Sequence, residues 1–198
     1  MKVYSLQVPI NANYAKLKAD LNQDYNMNPI NVWWEEWNVD GNEVKDFLNC
    51  NRATIAKQSV ANELNERFMG LSLHNVNIIR TEREKSSKRK LKWLPDEDPI
   101  LKFIFTTIEL KLLSQSSVKY SDGSKYLSEI DGISELRGNL IIPRVEGKGF
   151  FFSSHDINGY DFFKPENTRF LLCTENVKEF CEKQGYTNIV FLEVGDIV

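Results

Sequence analysis

The chain has 198 residues, 41% of them apolar and 27% charged, with a formal net charge of −3. These are the proportions of an average soluble globular protein, long enough for a sizeable core without disulfide staples. The small acid excess argues against a binder that coats nucleic acid with its whole surface, while leaving room for local patches.

The three cysteines, Cys50, Cys173 and Cys181, are odd in number and scattered, with no CxxC pair, as expected in a reducing cytosol. No apolar run reaches the ~18 residues of a membrane span. The opening MKVYSLQVPIN lacks the apolar segment and cleavage site of a secretory leader, so a cytoplasmic location is expected.

Residues 2–8 alternate Val3, Leu6 and Val8 with polar neighbours and read as a strand ended by Pro9. Tyr14, Leu17, Lys18 and Leu21 have helical spacing, which predicts a short helix over 12–23. The Asn-rich 26–31, with Pro29, reads as a loop. A strand is expected over the Trp-rich 32–37, closed by a turn at 38–42. A short helix or turn is expected at 43–48 and a brief strand at 54–56. Residues 58–69 carry Val60, Leu64 and Phe68 on one stripe with Gly70 behind, a helix with its stop signal.

A strand is expected at 73–79, then an exposed loop or hairpin tip over 80–92, then a break at 92–99. Over 100–113 the start reads as a strand. Residues 120–138 are turn-rich, and 140–142 and 149–153 read as short strands. A strand at 170–174, a helix at 176–184 capped by Gly185 and a strand at 189–194 complete the series. Residues 53–79 and 169–194 share the order strand, helix, Gly, strand, with Val60 aligned on Val177, a pattern consistent with a weak internal repeat. The expected fold is a single α+β domain over 1–198: a mixed sheet with a few packed helices, with a boundary between two sub-halves, if there is one, near the basic loop 80–92.

VWWEEW, residues 32–37, holds three of the four tryptophans. On a strand, Trp33, Glu35 and Trp37 share one face while Trp34 and Glu36 share the other. Each face then carries an aromatic ring and a charge. Tryptophan combines a large apolar area with a polar N–H, which suits rims and binding hot spots. At least two of the three are expected to pack inside. The third, with Glu35 or Glu36, is the expected partner-facing anchor. A second acidic run, Asp96, Glu97 and Asp98, could face a basic groove, although ordinary solvated surface is the commoner fate of such runs.

The stretch RTEREKSSKRKLK, 80–92, ends at Trp93 and holds Arg80, Arg83, Lys85, Lys88, Arg89, Lys90 and Lys92. Lys88, Arg89 and Lys90 beside Trp93 could hold a phosphate backbone and stack a base. A solvated loop is the favoured reading, so nucleic acid stands as the alternative partner.

No catalytic constellation is visible. The histidines, His74 and His155, lie in unrelated segments without metal-ligand spacing, and no metal or cofactor is expected. The glycines form no phosphate-binding loop. Ser153-Ser154-His155-Asp156 places catalytic residue types side by side, but a triad is assembled in space from separate elements. The chain is therefore expected not to be an enzyme.

The C-terminal stretch GYDFFKPENTRFLLCTENVKEFCEKQGYTNIVFLEV resembles the end of immunity family eleven of bacterial polymorphic-toxin systems. The residues that carry the resemblance are Phe170-Leu171-Leu172, Thr174-Glu175, 177–181, Gly185 and 191–194. An earlier echo is KDFLNCNRATIAKQSVANEL, with Asp46-Phe47-Leu48. Together they cover about a third of the chain, and 80–160 lies outside them. The resemblance implies a cytoplasmic α+β protein that binds a cognate toxin domain and blocks its active site, with no chemistry of its own. Oligomeric state is left open.

Overall fold

The structure, a computed structural model, describes residues 1–10, 13–20, 24, 26–36, 41–50, 53–87, 91, 93–116 and 149–198. Among them run β1 (Lys2–Gln7), β2 (Leu17–Ala19), β3 (Ile30–Trp34), β4 (Phe47–Cys50), β5 (Ala53–Lys57), α1 (Gln58–Arg67), β6 (Ser72–Ile78) and α2 (Glu82–Ser86). They are followed by β7 (Leu101–Phe105), β8 (Glu109–Leu110), β9 (Phe150–Phe152), α3 (Ser154–Ile157), β10 (Phe162–Pro165), β11 (Leu172–Thr174), α4 (Glu175–Gln184) and β12 (Val190–Ile197). The fold is α+β. Its strands form a closed six-stranded barrel, β2-β3-β6-β7-β5-β4, and a six-stranded sheet, β8-β10-β11-β1-β12-β9. The single mixed sheet of the sequence reading is therefore two structures, one of them closed.

Strict alternation fills the interior of the barrel that β2–β4 pairing closes. Leu17 and Ala19, Ile30, Val32 and Trp34, Leu48 and Cys50, Ala53 and Ile55, and Leu101 and Phe103 all point into one cluster of buried side chains. A barrel this narrow has room inside for side chains and little else. The same alternation corrects two expectations. The helix expected over 12–23 is replaced by a strand within its described part, 13–20, because Leu17 and Ala19 face inward with exposed Lys18 between them, and β2 pairs with β3 and β4. Residues 43–48 do not end in a helix or turn, because Phe47 starts β4, antiparallel to β5. The expected features at 120–138 and 140–142 lie outside the described residues.

The echo between the two strand–helix–strand segments is visible in the topology. β5 and β6 are each antiparallel to β7, which lies between them. β11 and β12 are each antiparallel to β1, which lies between them. Each segment is thus a crossover through a helix whose two strands flank one inserted strand. Both helices bury their apolar stripes in one cluster, Val60, Ala61 and Leu64 of α1 with Val177, Phe180 and Cys181 of α4. Phe47, Ala56 and Ile104 from the barrel's outer side join it, as do Tyr4, Leu6 and Cys173 from the sheet. This cluster welds barrel to sheet. A second face of the sheet buries Val3, Phe150, Phe152, Phe163 and Leu172.

Polar ties reinforce the weld. Asp46 accepts hydrogen bonds from the Thr187 backbone N–H and hydroxyl at 2.9 and 2.8 Å, and from Lys57 at 3.3 Å. Past the end of α1, the Met69 carbonyl accepts from the Asp161 and Phe162 N–H groups. Gly70, at φ 95°, lies so close to the Phe162 carbonyl that a Cβ would sit 2.2 Å from its oxygen, so only glycine fits. Leu64 is fully buried at the centre of the shared cluster. Leu64→Ala should lower unfolding free energy by about 2–5 kcal/mol, read as a shifted denaturation midpoint with unchanged slope. An effect below about 0.5 kcal/mol would mean the weld is not a stability determinant.

Candidate functional site

β3 delivers the tryptophans to opposite sides. Ile30, Val32 and Trp34 face the barrel interior, so Asn31 and Trp33 face outward. Trp34 is fully buried, and its indole N–H donates to Asp98 Oδ1 at 3.0 Å. It is a core residue, and its ring is not on offer to a partner. Trp33 is the partly exposed ring of the described pair. Trp37 lies outside the described residues.

β3 and β6 are parallel, and both end where β7 begins. Segments 35–36, 79–87 and 93–100 therefore emerge at one mouth of the barrel, which brings the acidic and basic stretches of the sequence together. Residues 80–87 are not simply a loop. Thr81 Oγ1 accepts from the Glu84 N–H and the Glu84 carboxylate accepts from the Thr81 N–H, both at 3.3 Å, a reciprocal cap that starts α2. Thr81 also donates to Glu36 Oε1 at 3.3 Å, and Arg83 donates to Glu36 Oε2 at 3.1 Å. Arg80 pairs with Asp98. Lys85 pairs with Glu82 at 2.7 Å.

Arg80, Arg83 and Lys85, the described bases of that stretch, are thus answered within the chain, as are Glu36 and Asp98. Asp96 and Glu97 remain exposed at the mouth, and Glu35 is half-buried, its N–H bonded to the Lys16 carbonyl at 2.9 Å. Trp93 is buried among the barrel side chains, with the Arg83 guanidinium 4.8 Å from the ring centroid. A base could not stack on a ring so covered, which corrects its role in the nucleic-acid alternative. Lys88, Arg89 and Lys90 lie outside the described residues.

Trp33 has neighbours the sequence reading did not single out. Across β3 and β6, Asn31 pairs with Asn77, and their side chains share a hydrogen bond of 3.0 Å. One step on, Ile79 donates its N–H to the Val32 carbonyl at 2.7 Å, which sets it beside Trp33 on the outer face. Ile79 is 42% exposed and Ile100, just before β7, is 70% exposed. On the other flank, Lys18 is the cross-strand partner of Trp33. The outer barrel face thus presents Trp33, Ile79 and Ile100 on neighbouring strands, with amides and lysines around them. A signal did exist: Ile78 and Ile79 are adjacent, and a strand can turn only one of two adjacent residues inward.

Among the described residues no group of three metal-capable side chains converges. Burial pushes the Cys181 thiol up to about 12 and the Cys173 thiol well above its ordinary value, so neither is a ready nucleophile. Ser153 serves as a cap, its hydroxyl accepting from the His155 N–H at 3.2 Å. No helix among the described residues is long and apolar enough to cross a membrane. No family model matches the chain, and no curated protein matches it.

The mouth buries the side chain of one acid in α2, Glu84. The Glu84 side chain is 1% exposed and its Oε1 has no hydrogen-bond partner among the described residues. Burial, aided by Glu36 and Asp98, raises its affinity for a proton, against the pull of the Thr81 N–H and of Arg80 at 3.7 Å. A raised folded-state value means that the buried carboxyl favours folding while protonated. That contribution is complete below the ordinary value of 4.5 and is lost as pH rises through the raised one. Glu84→Gln keeps the cap and removes the charge. It should stabilise the protein at neutral pH, with the gain shrinking as pH falls toward the ordinary carboxyl value, read from denaturation midpoints across pH. A gain independent of pH would overturn this assignment.

Proposed function

We propose that the protein is a non-catalytic immunity protein that binds a cognate toxin domain and occludes it. The observation that carries this reading is the outward ring of Trp33 beside exposed Ile79 and Ile100 on a rigid barrel wall. Exposed apolar side chains grouped on one face are a mark of protein interfaces, and aromatic anchors dominate their energetics. A barrel wall holds such an anchor still, so little conformational freedom is lost on binding. The resemblance of 159–194 to immunity family eleven agrees with the same role. In this reading the toxin is blocked by tight one-to-one contact in the cytoplasm.

Tagged protein recovered from its own cells, with nuclease and at high salt, should retain one stoichiometric protein partner. That partner should arrest growth when expressed alone, and co-expression of this chain should restore growth. Trp33→Ala should weaken the complex about tenfold or more, whereas Lys85→Ala should leave it unchanged. Recovery of nucleic acid alone, and only at low salt, would sink the immunity reading.

A further inference from the structure

We infer that α2 is a lid over one mouth of the barrel, latched by a proton on Glu84 and loosened when that proton leaves.

The lid has no apolar anchor. Its five residues, Glu82, Arg83, Glu84, Lys85 and Ser86, include no hydrophobic side chain, and none of them is buried as a whole. A helix this short does not hold itself together in water. The Thr81–Glu84 cap starts it, and Arg83 seats it by reaching Glu36 Oε2 at 3.1 Å and lying over the Trp93 ring. The flanking Arg80 and Thr81 add bonds to Asp98 and Glu36. The Arg83 side chain is 62% exposed and that of Arg80 37%. Exposed ion pairs contribute little, and segments with few buried apolar contacts open ahead of the rest of a protein.

Under the lid two buried polar groups lack partners, Glu84 Oε1 and the Trp93 indole N–H. Each gains a hydrogen bond to water when the lid lifts, so both favour the open state. The charges around Glu84 act in the same direction. Glu36, Glu84 and Asp98 come from the three segments at the mouth, and among the described residues Arg80 and Arg83 answer them. Arg80 is shared between Asp98 and Glu84, Arg83 is on Glu36, and Lys85 is on Glu82. Glu35, Asp96 and Glu97, on the same segments, are acidic too. Glu84 is the most buried of the three paired carboxylates, and its guanidinium is the shared one. A proton on Oε1 removes its charge and leaves Oε2 to accept from the Thr81 N–H. The proton therefore favours the closed lid, and that contribution is lost as pH rises through the raised value of the closed state. Trp93 packs among the barrel side chains, so lifting the lid exposes this end of the barrel core.

The test uses the full chain, nitrogen-15 labelled, at about pH 5 and about pH 8. One reading is the broadening of the Trp93 indole signal by a soluble nitroxide. The other is the exchange protection of the Lys85 and Ser87 amides, which bond the Thr81 and Arg83 carbonyls. From the lower to the higher pH the broadening should rise, and the protection, corrected for intrinsic exchange, should fall about tenfold. The amides of α1 should keep theirs. Glu84→Gln should hold the lid shut at both pH values, and Thr81→Ala, which removes the cap, should loosen it at both. An absence of pH dependence in the wild type, an equal dependence in Glu84→Gln, a lid unaffected by Thr81→Ala, or α1 loosening in step with α2 would overturn the inference.

Discussion

The fold depends on one shared apolar cluster. Neither α1 nor α4 has a layer of its own to cover; each lies between the barrel wall and the sheet and buries its stripe against the other's surroundings. Removing the cluster would leave a barrel with an uncovered outer side and a sheet with an uncovered face. Hydrophobic burial is non-directional, so the cluster alone would not fix how the two halves meet. The directional work falls to Asp46 with Thr187 and to Met69 with Asp161 and Phe162, hydrogen bonds whose geometry tolerates little displacement.

A second constraint acts at the barrel mouth. Parallel pairing of β3 with β6 sends two chain ends of opposite charge out of the same opening, and they neutralise each other there. Arg83 does three things at once: it bonds Glu36, covers Trp93 and belongs to the helix that Thr81 caps. Such a cluster is worth more as a fixed arrangement than as a sum of exposed ion pairs, which individually contribute little. Its effect on recognition is subtractive. Arg80 and Arg83 are already paired within the chain and are not on offer to a partner's carboxylates.

Much of the fold was legible in the sequence. The helices at α1 and α4 announced themselves through stripes ending at Gly70 and Gly185, and β6, β9 and β12 through apolar runs bounded by turns. The two strand–helix–strand segments were legible as well. Barrel closure was not, because β2 has only Leu17 and Ala19 to declare it, and Leu21 imitated a helical repeat. Closure is a pairing between β2 and β4, which no local pattern encodes. At the site, strand alternation separated the two faces of VWWEEW, but it could not say which face was inside. Nor could it show that the acidic and basic runs would meet, since that follows from strand order. The exposed Ile79 and Ile100 were hidden in apolar runs that read as core.

The order of strands along the chain also sets a timetable. Every strand of the barrel lies between Leu17 and Phe105, so the barrel can close while the rest is still being made. β1 precedes all of them, yet its two neighbours, β11 and β12, come after every barrel strand in the chain. Until then its backbone groups have no native partner, and loop closure over most of the chain must precede their pairing. A strand with both edges waiting is a template for foreign strands. Polar Ser5 and Gln7, charged Lys2 and the Pro9 stop that follows make β1 a poor one, which lets a late-pairing strand sit safely at the start of a sheet.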